Sequence, residues 1–114
     1  MNENCLFCRI IQKQIPGKFA LETEDVVALY DVNPQAPVHL LVMPRKHIAS
    51  IDDASDADAL LIGELIIIGK RLASEHKLTQ GYRLVFNNGR GAGQSVFHIH
   101  LHVLGGRTMN WPPG

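Results

Sequence analysis

Residues 96–104, VFHIHLHVL, alternate apolar side chains with three histidines. Because side chains on a β-strand point alternately to its two faces, the pattern predicts a strand whose buried face carries Phe97, Ile99, Leu101 and Val103. His98, His100 and His102 then share the other face, with backbones roughly 6.6 Å apart at a rise of about 3.3 Å per residue. A single histidine there is usually a solvated residue, but three close, mostly neutral imidazoles offer nitrogen lone pairs for chemistry.

The segments around this strand predict two helices and four further strands. Apolar residues at helical spacing indicate a short helix over residues 5–15, ended by Pro16 and Gly17, and a long helix over about 56–77 that opens on a capping box of Ser55 and Asp58. Strands are predicted over residues 19–21, 26–30, 38–43 and 82–87, and the first two form a hairpin. Without repeats or linkers, we expect one domain, residues 1–114.

Composition narrows the function classes. Eleven Lys and Arg balance eleven Asp and Glu in 114 residues, so the chain lacks the charge pattern of proteins that bind polymeric nucleic acid or anionic membranes. The longest apolar stretch, residues 60–69, is about ten residues long and too short to span a bilayer. No targeting pattern opens the sequence, so we expect a cytoplasmic protein.

A glycine-spaced loop leads into the histidine strand. Gly89, Gly91 and Gly93 would let backbone N–H groups approach an anion closely, and Gln94 and Ser95 follow as hydrogen-bond donors beside the histidines. On its own such a loop is more often a simple turn between strands. Next to three histidines it favours a phosphate site.

Four motifs together resemble the Hint branch of the histidine triad (HIT) superfamily. They are DVNPQAPVH at residues 31–39, GQSVFH at 93–98, the histidine strand with LGGR at 104–107, and WPPG at 111–114. The resemblance covers essentially the whole chain and implies the α+β HIT-like fold, in which an antiparallel sheet of about five strands carries one long and one short helix and extends across a homodimer. It also implies hydrolysis of the P–N bond of purine nucleoside 5'-phosphoramidates (AMP- or GMP-amines) through a nucleotidyl-histidine intermediate, with no cofactor required for catalysis.

The same resemblance assigns the site residues. It implies that His100 is the nucleophile, that His102 and His39 orient it and polarise the phosphate, and that Ser95 hydrogen-bonds near the departing nitrogen. The phosphate oxygens would be contacted by Asn87, Gly93, Gln94 and the backbone about Ser95 and Val96. Asp31 would hold the ribose hydroxyls. The apolar slot for the base would be formed by Leu6, Phe7, Ile10, Leu29, Tyr30 and Val32.

Several of these residues have plainer explanations when taken singly. Asp31 is also compatible with an Asx turn, and Asn87 with an ordinary turn. Leu6, Phe7 and Ile10 form a helical apolar stripe that is equally typical of a core. Their joint occurrence favours the functional interpretation.

Cys5 and Cys8 form a C-x-x-C pair that the nucleotide chemistry does not require. In related HIT branches and in galactose-1-phosphate uridylyltransferases such a pair accompanies two histidines, which match His47 and His98 here, so the resemblance implies a structural Cys2His2 zinc site. Two alternatives stay open. The cysteines are also compatible with small buried hydrophobic residues, and His98, His100 and His39 with a catalytic zinc site.

Other functions stay open as well. Within the superfamily, the motifs also suit a dinucleoside polyphosphate hydrolase or a nucleotidyl transferase. A protein of another class, an interaction module that only senses a nucleotide, would keep the pocket and lack turnover.

Overall fold

The chain folds as one five-stranded antiparallel sheet with a helix packed on each face. This computed structural model describes residues 2–114. The strands are β1 (Phe19–Glu22), β2 (Val26–Tyr30), β3 (Val38–Pro44), β4 (Tyr82–Val85) and β5 (Leu101–Gly105), and the helices are α1 (Leu6–Ile11) and α2 (Ala59–Glu75). The strand order is β1-β2-β3-β5-β4. The predicted α+β architecture, with one long and one short helix, is confirmed.

The two faces of the sheet bury different parts of the chain. On one face, α2 packs Leu65, Ile68 and Leu72 against the strands. On the other face, α1 and the cysteines cover alternate residues of β2 and β3. Period-two alternation therefore separates a plain apolar core under α2 from the side that carries the histidines. Over residues 2–114, no helix combines the length and the apolar character that a bilayer span requires.

The histidine strand is shorter than predicted. The expected apolar face is buried at Ile99, Leu101 and Val103, but regular pairing begins only at Leu101, which lies opposite Val42 of β3. Two positions further along β3 stands Pro44, which has no N–H to donate, and its carbonyl is taken by the ring of His98 at 2.8 Å. His98 and His100 therefore lie in an irregular segment before β5, not on a strand.

Helix α1 and strand β4 are also shorter than predicted. Helix α1 ends at Ile11, before Pro16, because Lys13 adopts a left-handed φ of 61° and Gln14 N–H closes the turn on the Arg9 carbonyl. Strand β4 ends at Val85, two residues early.

Helix α2 begins at Ala59, after a 3-10 turn over Asp56–Asp58. At that turn the carboxylate of Asp58 accepts a hydrogen bond from Ser55 N–H at 3.0 Å, as the capping box predicts. The long helix therefore begins about one turn later than predicted, while the capping box lies where the sequence places it.

Candidate active site

Two adjacent strands place His39 and His102 side by side. Leu41 of β3 pairs with His102, and His39 pairs with Leu104, so both imidazoles lie on the face covered by α1. His39 Nε2 and His102 Nδ1 are 2.9 Å apart. The register of one strand pair thus sets this contact across 63 residues of chain.

Backbone hydrogen bonds fix which nitrogen of each ring carries the proton. Gln35 N–H donates to His39 Nδ1 at 3.0 Å, so neutral His39 holds its proton on Nε2 and donates it to His102 Nδ1. His102 must then carry its own proton on Nε2. Through these two bonds, His102 presents an N–H donor to the cavity that it lines. Asp31 Oδ2 also lies 3.4 Å from His39 Nε2.

His100 is held in the opposite tautomer. Its Nδ1–H donates to the carbonyl oxygen of His98 at 2.7 Å, which leaves the lone pair of Nε2 free. The ring centroid lies 4.9 Å from that of His102. Phe7 of α1 meets it edge-on, with 5.0 Å between centroids. The site therefore pairs a nucleophilic nitrogen on His100 with an N–H donor on His102.

Burial keeps these rings neutral. It lowers the pKa of His102 to about 4, with the neighbouring His100 and His39 adding to the effect. Burial also lowers the pKa of His100 and of His39, although the charge of Asp31 opposes the shift in both. Neutral imidazoles are the form that the two tautomers above require.

A cavity of about 300 Å³ opens onto these histidines, which is the size range of small-molecule sites. Eleven of the residues proposed from the sequence line it: Leu6, Phe7, Ile10, Leu29, Tyr30, Asp31, Val32, Ser95, Val96, His100 and His102. Four that the sequence did not indicate also line it: Pro16, Gly17, Lys18 and Leu41. Leu41 is found only from the strand register, whereas the other three follow directly from where α1 ends.

Four predicted residues lie outside the cavity lining: His39, Asn87, Gly93 and Gln94. His39 is joined to the cavity lining by its hydrogen bond to His102. Gln94 is 4% exposed, and its side-chain amide is used within the protein. Its Oε1 accepts from Gly89 N–H, and its Nε2 donates to the carbonyls of Ala49 and Val96. Gln94 therefore shapes the glycine loop from beneath instead of reaching toward a ligand.

Asp31 forms an Asx turn and also lines the cavity. Its Oδ1 accepts from Asn33 N–H at 2.8 Å, which is the Asx turn, while the residue also lines the cavity. A second contact at this wall, between Tyr30 and His76, was not predicted from the sequence. Tyr30 donates its hydroxyl to His76 Nε2 at 2.9 Å, and His76 Nδ1–H donates to the Leu72 carbonyl, so this sixth histidine joins α2 to the cavity wall.

A second cluster, the four-ligand cluster Cys5, Cys8, His47 and His98, brings its ligand atoms within 4.8 Å of one another. His98 Nδ1 lies 3.3 Å from Cys5 Sγ, 3.5 Å from Cys8 Sγ and 3.2 Å from His47 Nδ1. In a tetrahedral zinc site, with Zn–S of about 2.3 Å and Zn–N of about 2.0 Å, ligand atoms lie about 3.3–3.8 Å apart. The donor set and its spacing fit zinc.

The catalytic zinc alternative is not matched by this arrangement. Among the described residues, His98, His100 and His39 do not converge as a ligand group. His98 directs Nδ1 to the cysteines and donates Nε2–H to the Pro44 carbonyl, which fixes its tautomer for ligation through Nδ1. Burial lowers its pKa to about 4, so the ring is neutral, as a metal ligand must be.

Comparison with known proteins agrees with this geometry. The HIT domain family model matches residues 12–109. An uncharacterized HIT-like protein of Synechococcus elongatus is 44% identical over 114 residues, all of both chains. Among solved structures, a HIT family hydrolase from Legionella pneumophila has a TM-score of 0.95 and 53% identity, with 97% of this chain and 100% of that chain covered. The histidine triad nucleotide-binding protein from Candida albicans has a TM-score of 0.80 and 30% identity, with coverage of 95% and 82%. The chain therefore belongs to the HIT domain family and is similar to its hydrolases.

Proposed function

We propose that this protein hydrolyses the P–N bond of purine nucleoside 5'-phosphoramidates through a nucleotide covalently bound to His100. The observation that carries the proposal is the free Nε2 lone pair of His100 at a cavity that also receives the N–H of His102. A neutral, desolvated imidazole with one lone pair held toward a ligand is a competent nucleophile for phosphorus.

The reaction divides into two displacements at the same nitrogen. His100 Nε2 attacks the α-phosphorus, the P–N bond breaks with its electron pair passing to nitrogen, and the leaving amine takes its proton from water. His102 Nε2–H donates to a phosphoryl oxygen, where negative charge grows in the transition state, and the relay from Gln35 through His39 keeps that donor in place. Ser95, exposed at the mouth of the cavity, is assigned to the leaving nitrogen. Water then cleaves the nucleotidyl–His100 bond and restores the free imidazole.

The cavity suits a nucleoside. Leu6, Phe7 and Ile10 of α1 provide an apolar wall against which a planar base packs without edge-specific contacts. Asp31, at the end of β2, offers carboxylate oxygens as acceptors for ribose hydroxyls. We assign the backbone around Ser95 and Val96 to the phosphate oxygens, where Gln94 Nε2 holds the Val96 carbonyl at 3.1 Å.

We also propose that the four-ligand cluster holds a structural zinc. Such an ion would join α1, the loop after β3 and the segment before β5, and it would supply no bond-making step in the reaction above. Metal analysis of protein purified without added zinc should give about one equivalent, and removal with a chelator should lower the melting temperature. Well under one equivalent, with no loss of stability on chelation, would contradict the assignment.

A homodimer is the remaining proposal carried by the family resemblance. Strand β4 lies at the sheet edge, and α2 exposes Ile66 (39%) and Ile67 (48%), so backbone and apolar groups there suit a second copy. A cleft of about 830 Å³ follows the same edge, and none of the triad histidines lines it. Sedimentation should give a dimer for the wild type and a monomer for Ile67→Glu. A monomeric wild type would refute this assembly.

A substrate panel tests the proposed reaction. We expect kcat/KM for AMP- and GMP-amines to exceed that for diadenosine polyphosphates, because the ratio measures transition-state discrimination directly. His100→Ala should abolish turnover and retain AMP binding. Higher kcat/KM for the dinucleotides would favour a polyphosphate hydrolase. Binding of AMP without any hydrolysis by the wild type would favour a nucleotide-sensing protein.

A further inference from the structure

The four-ligand cluster and the proposed nucleophile are built from the same short segments. His98 lies two residues before His100, and Phe7 of α1 lies between Cys5, the helix N-cap, and Cys8. Ile99 N–H, between the two histidines, donates to the Ile48 carbonyl at 2.7 Å, next to His47 in the chain. A shift of the cluster ligands would therefore shift the backbone segment that carries His100.

The first connection runs through His98. Its ring is fixed at one nitrogen by the Pro44 carbonyl and at the other by the cluster. Its carbonyl oxygen accepts the Nδ1–H of His100 at 2.7 Å, and this bond selects the tautomer with a free Nε2. Because the ring is held at both nitrogens, the His98 backbone is held with it, and releasing the ring from the cluster would let this irregular segment carry the carbonyl away from His100.

The second connection runs through Phe7. Its ring is 5% exposed and meets both imidazoles edge-on, at 5.0 Å from His100 and 6.1 Å from His98. The helix that carries it has only six residues, too few to be stable without tertiary contacts. The two cysteines at its start therefore hold both Phe7 and the wall of the cavity.

Without a metal ion, only weak hydrogen bonds hold the four-ligand cluster together. His98 Nδ1 is an acceptor, because its Nε2–H is donated to Pro44, and it faces two sulfurs and a second imidazole nitrogen. Thiols are weak hydrogen-bond donors, and several lone pairs converge on one point. A divalent cation would satisfy all four ligands at once and would fix α1 and His98 to one another more firmly than these hydrogen bonds do.

We propose that Phe7 and the His98 carbonyl are positioning groups that make the orientation of His100 depend on metal occupancy of the four-ligand cluster. This inference rests on the proposed hydrolase function and adds a metal-dependent control to the same site. The cation would take no part in the bond changes. It would act by holding His100 and the apolar wall where the substrate needs them.

The test compares zinc-loaded protein with chelator-stripped protein by three measurements. They are the AMP dissociation constant, the tautomer of His100 from nitrogen chemical shifts, and kcat with an adenosine phosphoramidate. Stripping should weaken AMP binding and mix the two His100 tautomers. It should also lower kcat about tenfold or more, since a misplacement of about 1 Å can cost about a hundredfold. Unchanged AMP affinity and an unchanged tautomer in folded, stripped protein would overturn the proposal.

Two variants keep the result decisive. Phe7→Leu retains all four ligands and should bind metal with wild-type stoichiometry, yet show a lower kcat when loaded and a smaller change on stripping. Arg9→Gln, on the exposed face of the same helix, should behave as wild type. If stripping unfolds the protein, loaded Phe7→Leu decides, and a wild-type kcat and tautomer there would overturn the role of Phe7.

The binding and tautomer readouts separate this inference from the proposed reaction. A loaded wild type that hydrolyses no phosphoramidate defeats the proposed function, and the coupling is then judged from AMP binding and the His100 tautomer alone. A loaded wild type that is active, with both readouts insensitive to stripping, defeats only the coupling.

Discussion

Lowering the pH should destabilise the fold through its buried histidines, and a substitution at His102 isolates the contribution of that residue. Burial, with His100 and His39 as neighbours, lowers its pKa to about 4 from an ordinary value of 6.5. As the pH falls below 6.5, the unfolded chain binds this proton before the folded protein does, so stability present above that value is lost toward pH 4. The full shift corresponds to about 3 kcal/mol, and since the ring is partly exposed we expect ~1.5 kcal/mol.

The assay is urea unfolding at constant ionic strength from about pH 7 to about pH 4.5, with wild type and His102→Asn compared. Asparagine does not titrate, so the variant should lose ~1.5 kcal/mol less stability over this interval. Burial lowers the pKa of His98 to about 4 as well, but His98 is present in both proteins and its contribution cancels. Equal losses in the two proteins would show that His102 is not kept neutral by the fold.

Three further substitutions test the packing around the site. Leu65→Ala removes a fully buried side chain beneath the sheet and should cost about 2–5 kcal/mol in urea unfolding. Gln94→Ala leaves the Gly89 N–H and two carbonyls without partners; it should cost about 1–3 kcal/mol and lower kcat/KM without abolishing turnover. Gly106→Ala puts a Cβ 2.9 Å from Pro37 Cβ at a φ of +91°, and should lower thermal stability by about 1–2 kcal/mol.

Local periodicity was enough to predict most of the fold. Apolar spacing located α2 and all five strands because each of them turns apolar residues toward a core on at least one face of the sheet. The histidine segment marks the limit of such reasoning. Alternation placed Ile99 and Leu101 correctly in the interior, but the missing N–H of Pro44, far away in the sequence, ends the ladder before His100. The His98 ring takes the Pro44 carbonyl that strand β5 would otherwise use, and no residue near His98 in the sequence indicates this.

The candidate site was likewise predictable from the sequence only in part. Residue types and motif resemblance indicated the histidines and the cavity wall, whereas the proton positions depend on Gln35 N–H and the His98 carbonyl, which any residue type could supply. The sequence predicts Gln94 as a donor to substrate because its hydrogen-bonding capacity is visible in its residue type. Its three partners within the protein are visible only in three dimensions.

Trapping the covalent intermediate tests the central claim most directly. Wild-type protein mixed with an adenosine phosphoramidate, quenched rapidly and digested, should give an adenylylated peptide whose modification maps to His100. His102→Asn should form less of it, because the N–H donor to the phosphoryl oxygen is lost. An active wild type with no adduct, or with the adduct on another residue, would contradict the assignment of His100 as the nucleophile.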